Sequence, residues 1–351
     1  MQQIASRRSE SASASAKISL AAKVAVLRSP RTYGAGCTTV EAIETHFAWV
    51  FLSGTLAFKL KKPLRNEYVD LTDLSARRWL CEEEVRLNRR LAPDVYLDVC
   101  PLALSADGSL QIGGSGAVVD WLVAMRRLPQ ALMLDRMIAA HATSQAALTA
   151  VGLLLTQFYA SQCRIDFEAE QYIRRIGTHL KADEEALSAQ DLQLSATLVR
   201  STTAQLRNAF AHMRSELAQR AAEGRIVEAH GDLRPEHICL SNPPCVIDAL
   251  EFSLDLRTLD PGEELAFLCL ECARTGGESA GEKILDTYLR HSADPISARL
   301  LQFYRSRRAL VRAKLAAWHL RDPQFRDVAP WREQAHSYLQ LATFCARQAV
   351  C

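Results

Sequence analysis

With 351 residues, 48% of them hydrophobic and 23% charged, the chain is long enough for two modest lobes and has the composition of an ordinary folded enzyme-sized protein. A formal net charge of +2, without a basic stripe, zinc-finger spacing or a long apolar run, excludes a nucleic-acid-binding or membrane-spanning protein. Ten cysteines scattered along such a length, with no signal peptide, point to reduced thiols in a cytoplasmic protein rather than a disulfide scaffold.

Residues 1–26 read as a disordered tail; the stretch from Met1 to Lys23 is rich in Ser, Ala and basic residues with a single acid, a composition that transit peptides share. Strand patterns follow at Val40 to Thr45, Phe47 to Leu52 and Thr55 to Lys61, the last two joined by a Ser53-Gly54 turn. In the third strand Lys59 and Lys61 share one face and Lys62 lies opposite. Across Arg77 to Leu91, Leu80, Glu84, Leu87 and Leu91 recur at spacings of four, three and four, so Glu84 interrupts the apolar stripe of a helix. A carboxylate there needs a cationic partner, because burying it alone costs several kcal/mol, roughly; Lys59 is the candidate, while Glu82 and Glu83 fall off the stripe. Val95 to Leu104 and Val118 to Met125 complete an antiparallel sheet, and from Ala131 onward helical patterns dominate, among them Gln145 to Ser161, Ser195 to Ala222, Ser279 to His291 and Ala298 to Leu320.

The helical half is interrupted by His230-Gly231-Asp232-Leu233-Arg234-Pro235-Glu236-His237, with Asp248 and Glu251 downstream. Between them Ile238-Cys239-Leu240 and Cys245-Val246-Ile247 flank the turn Ser241-Asn242-Pro243-Pro244, a hairpin signal expected to bring Asp248 beside Asp232 and His237. Phosphoryl transfer needs one carboxylate to orient the attacking hydroxyl and others to hold magnesium on the nucleotide. Asp232 suits the first task and Asp248 the second. Glu251 is a candidate for the metal or for Arg234, the alternative being a solvated charge. Asp260-Pro261-Gly262-Glu263 is a helix start with an N-cap carboxylate. Cys269 and Cys272 form a CxxC inside an apolar helix and read as core packing. Arg305, Arg307, Arg308, Arg312 and Lys314 read as a solvated helix face, the alternative being a site for an anionic substrate or partner.

The segment from His230 to His237 with Asp248 resembles the catalytic loop and magnesium-binding segment of the aminoglycoside phosphotransferase branch of the protein-kinase-like superfamily, which reads HGDxxxxN; His237 stands at the Asn position. Ala57-Phe58-Lys59 resembles the kinase third-strand motif. With Lys59-Leu60-Lys61-Lys62-Pro63, the run from Glu84 to Pro93 and Met125-Arg126-Arg127-Leu128-Pro129, the chain is similar from about Leu27 to about Leu320 to bacterial aminoglycoside phosphotransferase-like proteins that often form the first half of a bifunctional P-loop chain. The resemblance implies a two-lobed α+β fold, with a nucleotide-binding sheet lobe over 27–125 and a helical lobe over 126–351 that carries the catalytic loop. It implies an ATP- and Mg²⁺-dependent phosphotransferase acting on a hydroxyl of a small molecule, with a pseudokinase or regulatory module and a nucleotidyl transferase as the other readings. Asp232 is then the catalytic residue; Lys59, Glu84, the Thr45 hydroxyl, and Met125 with Arg126 at the adenine hinge bind nucleotide; Asp248 and His237 carry the metal. Asp260 is implied to brace the catalytic loop. The loop from Glu44 to Phe47 lacks the usual glycines, and Arg31 to Gly36 is an alternative cover. The chain has no GxxxxGKS/T pattern of its own, which makes a separate P-loop protein a candidate partner.

Overall fold

A computed structural model describes residues 18–66, 68–321 and 329–351, and the chain divides into two compact units. Of the described residues, those up to 132 together with 245–254 belong to the first, and those of 133–244 together with those from 255 onward to the second.

The first unit is built on a six-stranded antiparallel sheet in the order β1-β2-β3-β6-β4-β5, formed by Val40–Glu44, Ala48–Ser53, Leu56–Lys61, Tyr96–Leu104, Leu110–Ile112 and Ala117–Arg126 for β1 to β6. Gly54, at φ +56, makes the tight turn between β2 and β3, a conformation that a side chain disfavours. Alternation then divides β3. Phe58 and Leu60 join Phe51, Leu102, Val119 and Leu122 in the apolar core, whereas Lys59 and Lys61 face the other way. Each fully buried side chain of this core contributes about 1.5–3 kcal/mol.

Two helices complete the unit, α1 (Leu20–Leu27) and α2 (Leu74–Asn88). Residues 1–17 of the expected tail lie outside the described residues, but α1 begins inside the span assigned to it. Ser19 caps it, Val24 and Leu27 join the core, and Lys23 is buried against Asp120 at 2.8 Å. Three features thus order a segment whose composition alone suggests none. Asp120 also accepts Arg77 of α2 at 2.7 Å, and α2 packs on β4 and β6 with Leu80, Glu84 and Leu87 inward. The short β5 was not in the expected set; it pairs with β4 after the turn at Gly108.

The second unit is helical: α3 (Leu134–Ala139), α4 (Gln145–Ser161), α5 (Ala169–Leu187), α6 (Ala196–Ala222), α7 (Pro261–Arg274), α8 (Glu278–His291), α9 (Ala298–Trp318) and α10 (Ala329–Gln348). Serines 144, 195 and 297 cap α4, α6 and α9 through their hydroxyls, and Asp260 caps α7. Cys269 and Cys272 lie buried inside α7, where apolar surroundings push both thiols upward. No disulfide links any of the ten cysteines. No helix among the described residues is long and apolar enough to cross a membrane.

Candidate active site

In the first unit the carboxylates and ammonium groups alternate. Lys59 stands at the centre of the sheet, in register with Val50 of β2 and Val123 of β6. Its Nζ lies 2.8 Å from Glu84 Oε1 and 2.7 Å from Asp248 Oδ1. Lys61, two residues on and 0% exposed, pairs with Glu84 Oε2 and with Glu251. The order is therefore Asp248, Lys59, Glu84, Lys61, Glu251. Burial disfavours a charged lysine, yet Asp248, Glu84 and Glu251 outweigh it and hold Lys59 well above its ordinary value. Burial likewise disfavours the Glu84 carboxylate, but Lys59 and Lys61 bring it below the usual range.

Asp248 is positioned by the backbone. Its φ of +62 is uncommon for a residue with a side chain. The segment is held by three bonds: the Val246 amide donates to Leu91 O, the Asp248 amide donates to the Tyr96 hydroxyl at 3.1 Å, and the Ala249 amide donates to Asn88 Oδ1 at 2.8 Å. The Asp248 side chain remains 44% exposed. A solvent-facing carboxylate is the ligand type that a hard divalent ion such as Mg²⁺ takes, but no group of three or more His, Cys, Asp or Glu among the described residues is placed to hold a metal ion.

The other nucleotide candidates are already engaged. The Thr45 hydroxyl donates to Ala48 O at 2.9 Å and accepts the Ala48 amide at 3.0 Å, closing its own turn. Met125 is in register with Ala57, and the exposed Arg126 gives its amide to Val95 O at 2.8 Å. Lys62 pairs with the half-exposed Glu44 at 2.7 Å, away from Glu84. Glu251 was expected at a metal or at Arg234; it is bound to Lys61, while Arg234 pairs with Asp232 and Glu236. Lys61 is the residue that sequence reasoning passed over. The signal was its shared face with Lys59.

In the second unit Gly231, at φ +90, turns the chain so that Asp232 follows. Glu264 of α7, fully buried, accepts the His230 amide at 3.1 Å, the Gly231 amide and the Tyr159 hydroxyl at 2.7 Å. Asp260 was the expected brace. It is occupied instead by its cap bond to Gly262, by Arg220 at 2.7 Å and by the Tyr304 hydroxyl at 2.9 Å. One helical turn separates the two acids, and only Glu264 points at the loop.

Asp232 Oδ2 lies 3.0 Å from Arg234. Burial would raise its pKa, but Arg234, His237, Arg312 and Arg308 bring it below the ordinary carboxylate range, so it is ionised at neutral pH. His237 Nδ1 donates to the Asp232 carbonyl oxygen at 2.8 Å, and Arg234 approaches Nε2 at 3.4 Å. A ring nitrogen facing a guanidinium is a poor place for a metal ion. The basic face of α9 is a correction to the sequence reading: Arg307 and Arg308 are buried rather than solvated, Arg307 against Glu263 at 2.5 Å and Arg308 donating to Gly231 O at 2.9 Å. Periodicity could not show this, since a stripe of charge reads the same whether it faces water or acids.

No model of a known protein family matches the chain. Uncharacterized proteins of Mycobacterium bovis and Mycobacterium tuberculosis are 31% identical over 284 residues, 79% of this chain and 54% of each relative, so the chain spans about half the length of these curated relatives. Among solved structures, a choline/ethanolamine kinase family protein from Mesorhizobium loti superposes with a TM-score of 0.55 at 15% identity, covering 93% of this chain and 97% of that one. The GDP complex of aminoglycoside 2′-phosphotransferase-IIIa superposes with a TM-score of 0.51 at 14% identity, covering 92% and 98%. At these identities the likeness is one of fold. The chain therefore shares the fold of this choline/ethanolamine kinase family protein and of this aminoglycoside phosphotransferase.

Proposed function

We propose that the chain is an ATP- and Mg²⁺-dependent phosphotransferase that phosphorylates a hydroxyl of a small molecule. The observation that carries this reading is the run of ion pairs through Asp248, Lys59 and Glu84, a phosphate-handling lysine held by one buried acid beside a second, accessible acid. Lys59, kept charged, neutralises the nucleotide phosphates. Asp248 would hold Mg²⁺, whose charge offsets that on the phosphates when it is bound. Asp232 orients the acceptor hydroxyl and takes its proton as the oxygen attacks the γ-phosphorus. The new O–P bond forms, the bond from the γ-phosphorus to the β,γ-bridging oxygen breaks, and ADP leaves with the electron pair. His237 serves the loop rather than the metal, locking the Asp232 carbonyl.

A second reading, a nucleotide-binding pseudokinase, draws on the Arg234 guanidinium that covers Asp232 Oδ2. Product mass separates the readings: the chain is incubated with Mg²⁺, ATP or GTP, and pooled small hydroxyl compounds including aminoglycosides. An acceptor heavier by one phosphate supports the phosphotransferase; one heavier by a nucleotide makes it a nucleotidyl transferase; bound nucleotide with no product or hydrolysis leaves the pseudokinase. We place the activity in the cytoplasm with a separate P-loop protein as candidate partner, which co-purification from a bacterial host would test.

A further inference from the structure

We propose that Phe252 is a positioning residue for Asp248, seated on a β1–β2 turn that acts as a fixed support instead of a flap over phosphate. The proposal rests on the phosphotransferase reading above for the use made of Asp248. Phe47, in the turn, stacks on Phe252 with ring centroids 5.5 Å apart and planes inclined by 25°, and Tyr68 closes on Phe252 with centroids 6.0 Å apart. Offset rings attract at such separations. All three are half-buried, and Phe252 stands four residues after Asp248.

The turn is built to hold still. The Thr45 amide donates to Ala48 O at 2.8 Å, and the Thr45 hydroxyl is engaged with the same residue. Phe47 O accepts the Lys62 amide at 2.8 Å, a backbone bond independent of the Lys62 side chain, which pairs with Glu44. No glycine stands between Glu44 and Ala48, so the turn lacks the backbone freedom with which a glycine-rich loop folds over a ligand. What it offers is the face of Phe47.

The segment that carries Asp248 uses that face. Its upstream end is anchored by the Val246, Asp248 and Ala249 amides, which donate to Leu91, Tyr96 and Asn88. Downstream, Glu251 pairs with the buried Lys61, and Phe252 stacks on Phe47. An ion pair through two flexible side chains fixes one point, whereas a stack fixes a plane. Asp248 lies between the anchors at φ +62, a conformation that persists only where its surroundings over-determine it. Without Phe252 the downstream end rotates, Asp248 relaxes toward negative φ, and its carboxylate leaves Lys59 Nζ, 2.7 Å away in the intact segment.

The test follows amide hydrogen exchange in the full, nucleotide-free chain. Phe252→Ala and Phe47→Ala should each speed exchange at the Asp248 and Ala249 amides by about tenfold or more, while the Val123 amide at the sheet centre stays as in wild type. The double variant should exchange no faster than about twice either single one, since both remove the same stack. Phe252→Tyr, which keeps the ring, should match wild type at Asp248, and so should Trp49→Ala, whose ring packs against the apolar core. Unchanged exchange at Asp248 in Phe252→Ala overturns the proposal. So do additive effects of the two single variants, or equal acceleration at Val123, which marks a general loss of stability. A second arm titrates ATP by calorimetry with and without Mg²⁺: Phe252→Ala should cut the affinity gained from Mg²⁺ by about fivefold or more. An undiminished gain in that variant overturns the positioning role. Faster local exchange in a chain whose wild type gains nothing from Mg²⁺ keeps the support and sinks the metal role of Asp248 instead.

Discussion

Glu264, with no exposed surface, accepts the backbone amide of Gly231, the residue before Asp232. It accepts the His230 amide and the Tyr159 hydroxyl as well, so truncation would orphan three buried donors at about 1–3 kcal/mol each. Glu264→Ala is expected to lower thermal stability and to cut kcat more than tenfold, by loosening the loop that aims Asp232. Melting curves and steady-state kinetics check this; a folded variant with undiminished kcat rules it out.

Lys59→Ala should weaken ATP-Mg²⁺ binding or turnover strongly, whereas Lys62→Ala, which removes a pair with half-exposed Glu44, should do little. Lys61→Ala should act on stability first, because it removes a fully buried cation shared by Glu84 and Glu251, a loss of about 3–5 kcal/mol. Calorimetric titration with ATP and urea denaturation separate the three. Equal binding defects in Lys59→Ala and Lys62→Ala would remove the assignment.

Asp248 occupies a left-handed conformation that Asn tolerates well, so Asp248→Asn is expected to fold normally. It should nevertheless abolish the magnesium dependence of nucleotide binding, measured by calorimetry with and without Mg²⁺. An unchanged dependence would refute the metal role.

Asp232→Asn should keep the fold and ATP binding and reduce turnover by about 10² to 10⁴, the usual contribution of a positioned base. His237→Asn would lose the bond to the Asp232 carbonyl without touching a metal, so turnover is expected to fall by about tenfold or less, each tenfold being roughly 1.4 kcal/mol of barrier. Identical rates for wild type and Asp232→Asn would defeat the enzymatic reading.

The buried ion pairs fix a pH window. Glu84 is depressed below its ordinary 4.5, so its stabilising contribution is complete above that pH and lost as pH falls through the lower folded value. Lys59 is raised above 10.5, so its contribution is complete below that pH and lost as pH rises through the higher folded value. Glu264 runs the other way: burial raises it, the native state binds the proton more tightly, and its contribution declines as pH rises above 4.5. Urea midpoints measured from pH 3 to 6 should therefore fall less steeply toward acid in Glu84→Gln than in wild type.

The sequence by itself determined faces and residue types. Alternation in Phe58-Lys59-Leu60-Lys61 and the spacing of Leu80, Glu84 and Leu87 follow from the geometry of strand and helix, so the antiparallel sheet, α2 with its inward acid and the helical second unit were legible without coordinates. Partners were not. That Glu84 carries two lysines, that Glu251 reaches Lys61, that Glu264 rather than Asp260 holds the His230 and Gly231 amides, and that Arg308 turns inward to Gly231 depended on strand register and helix rotation. Periodicity states which side of an element a charge lies on, whereas the packing of distant segments decides which opposite charge it meets there.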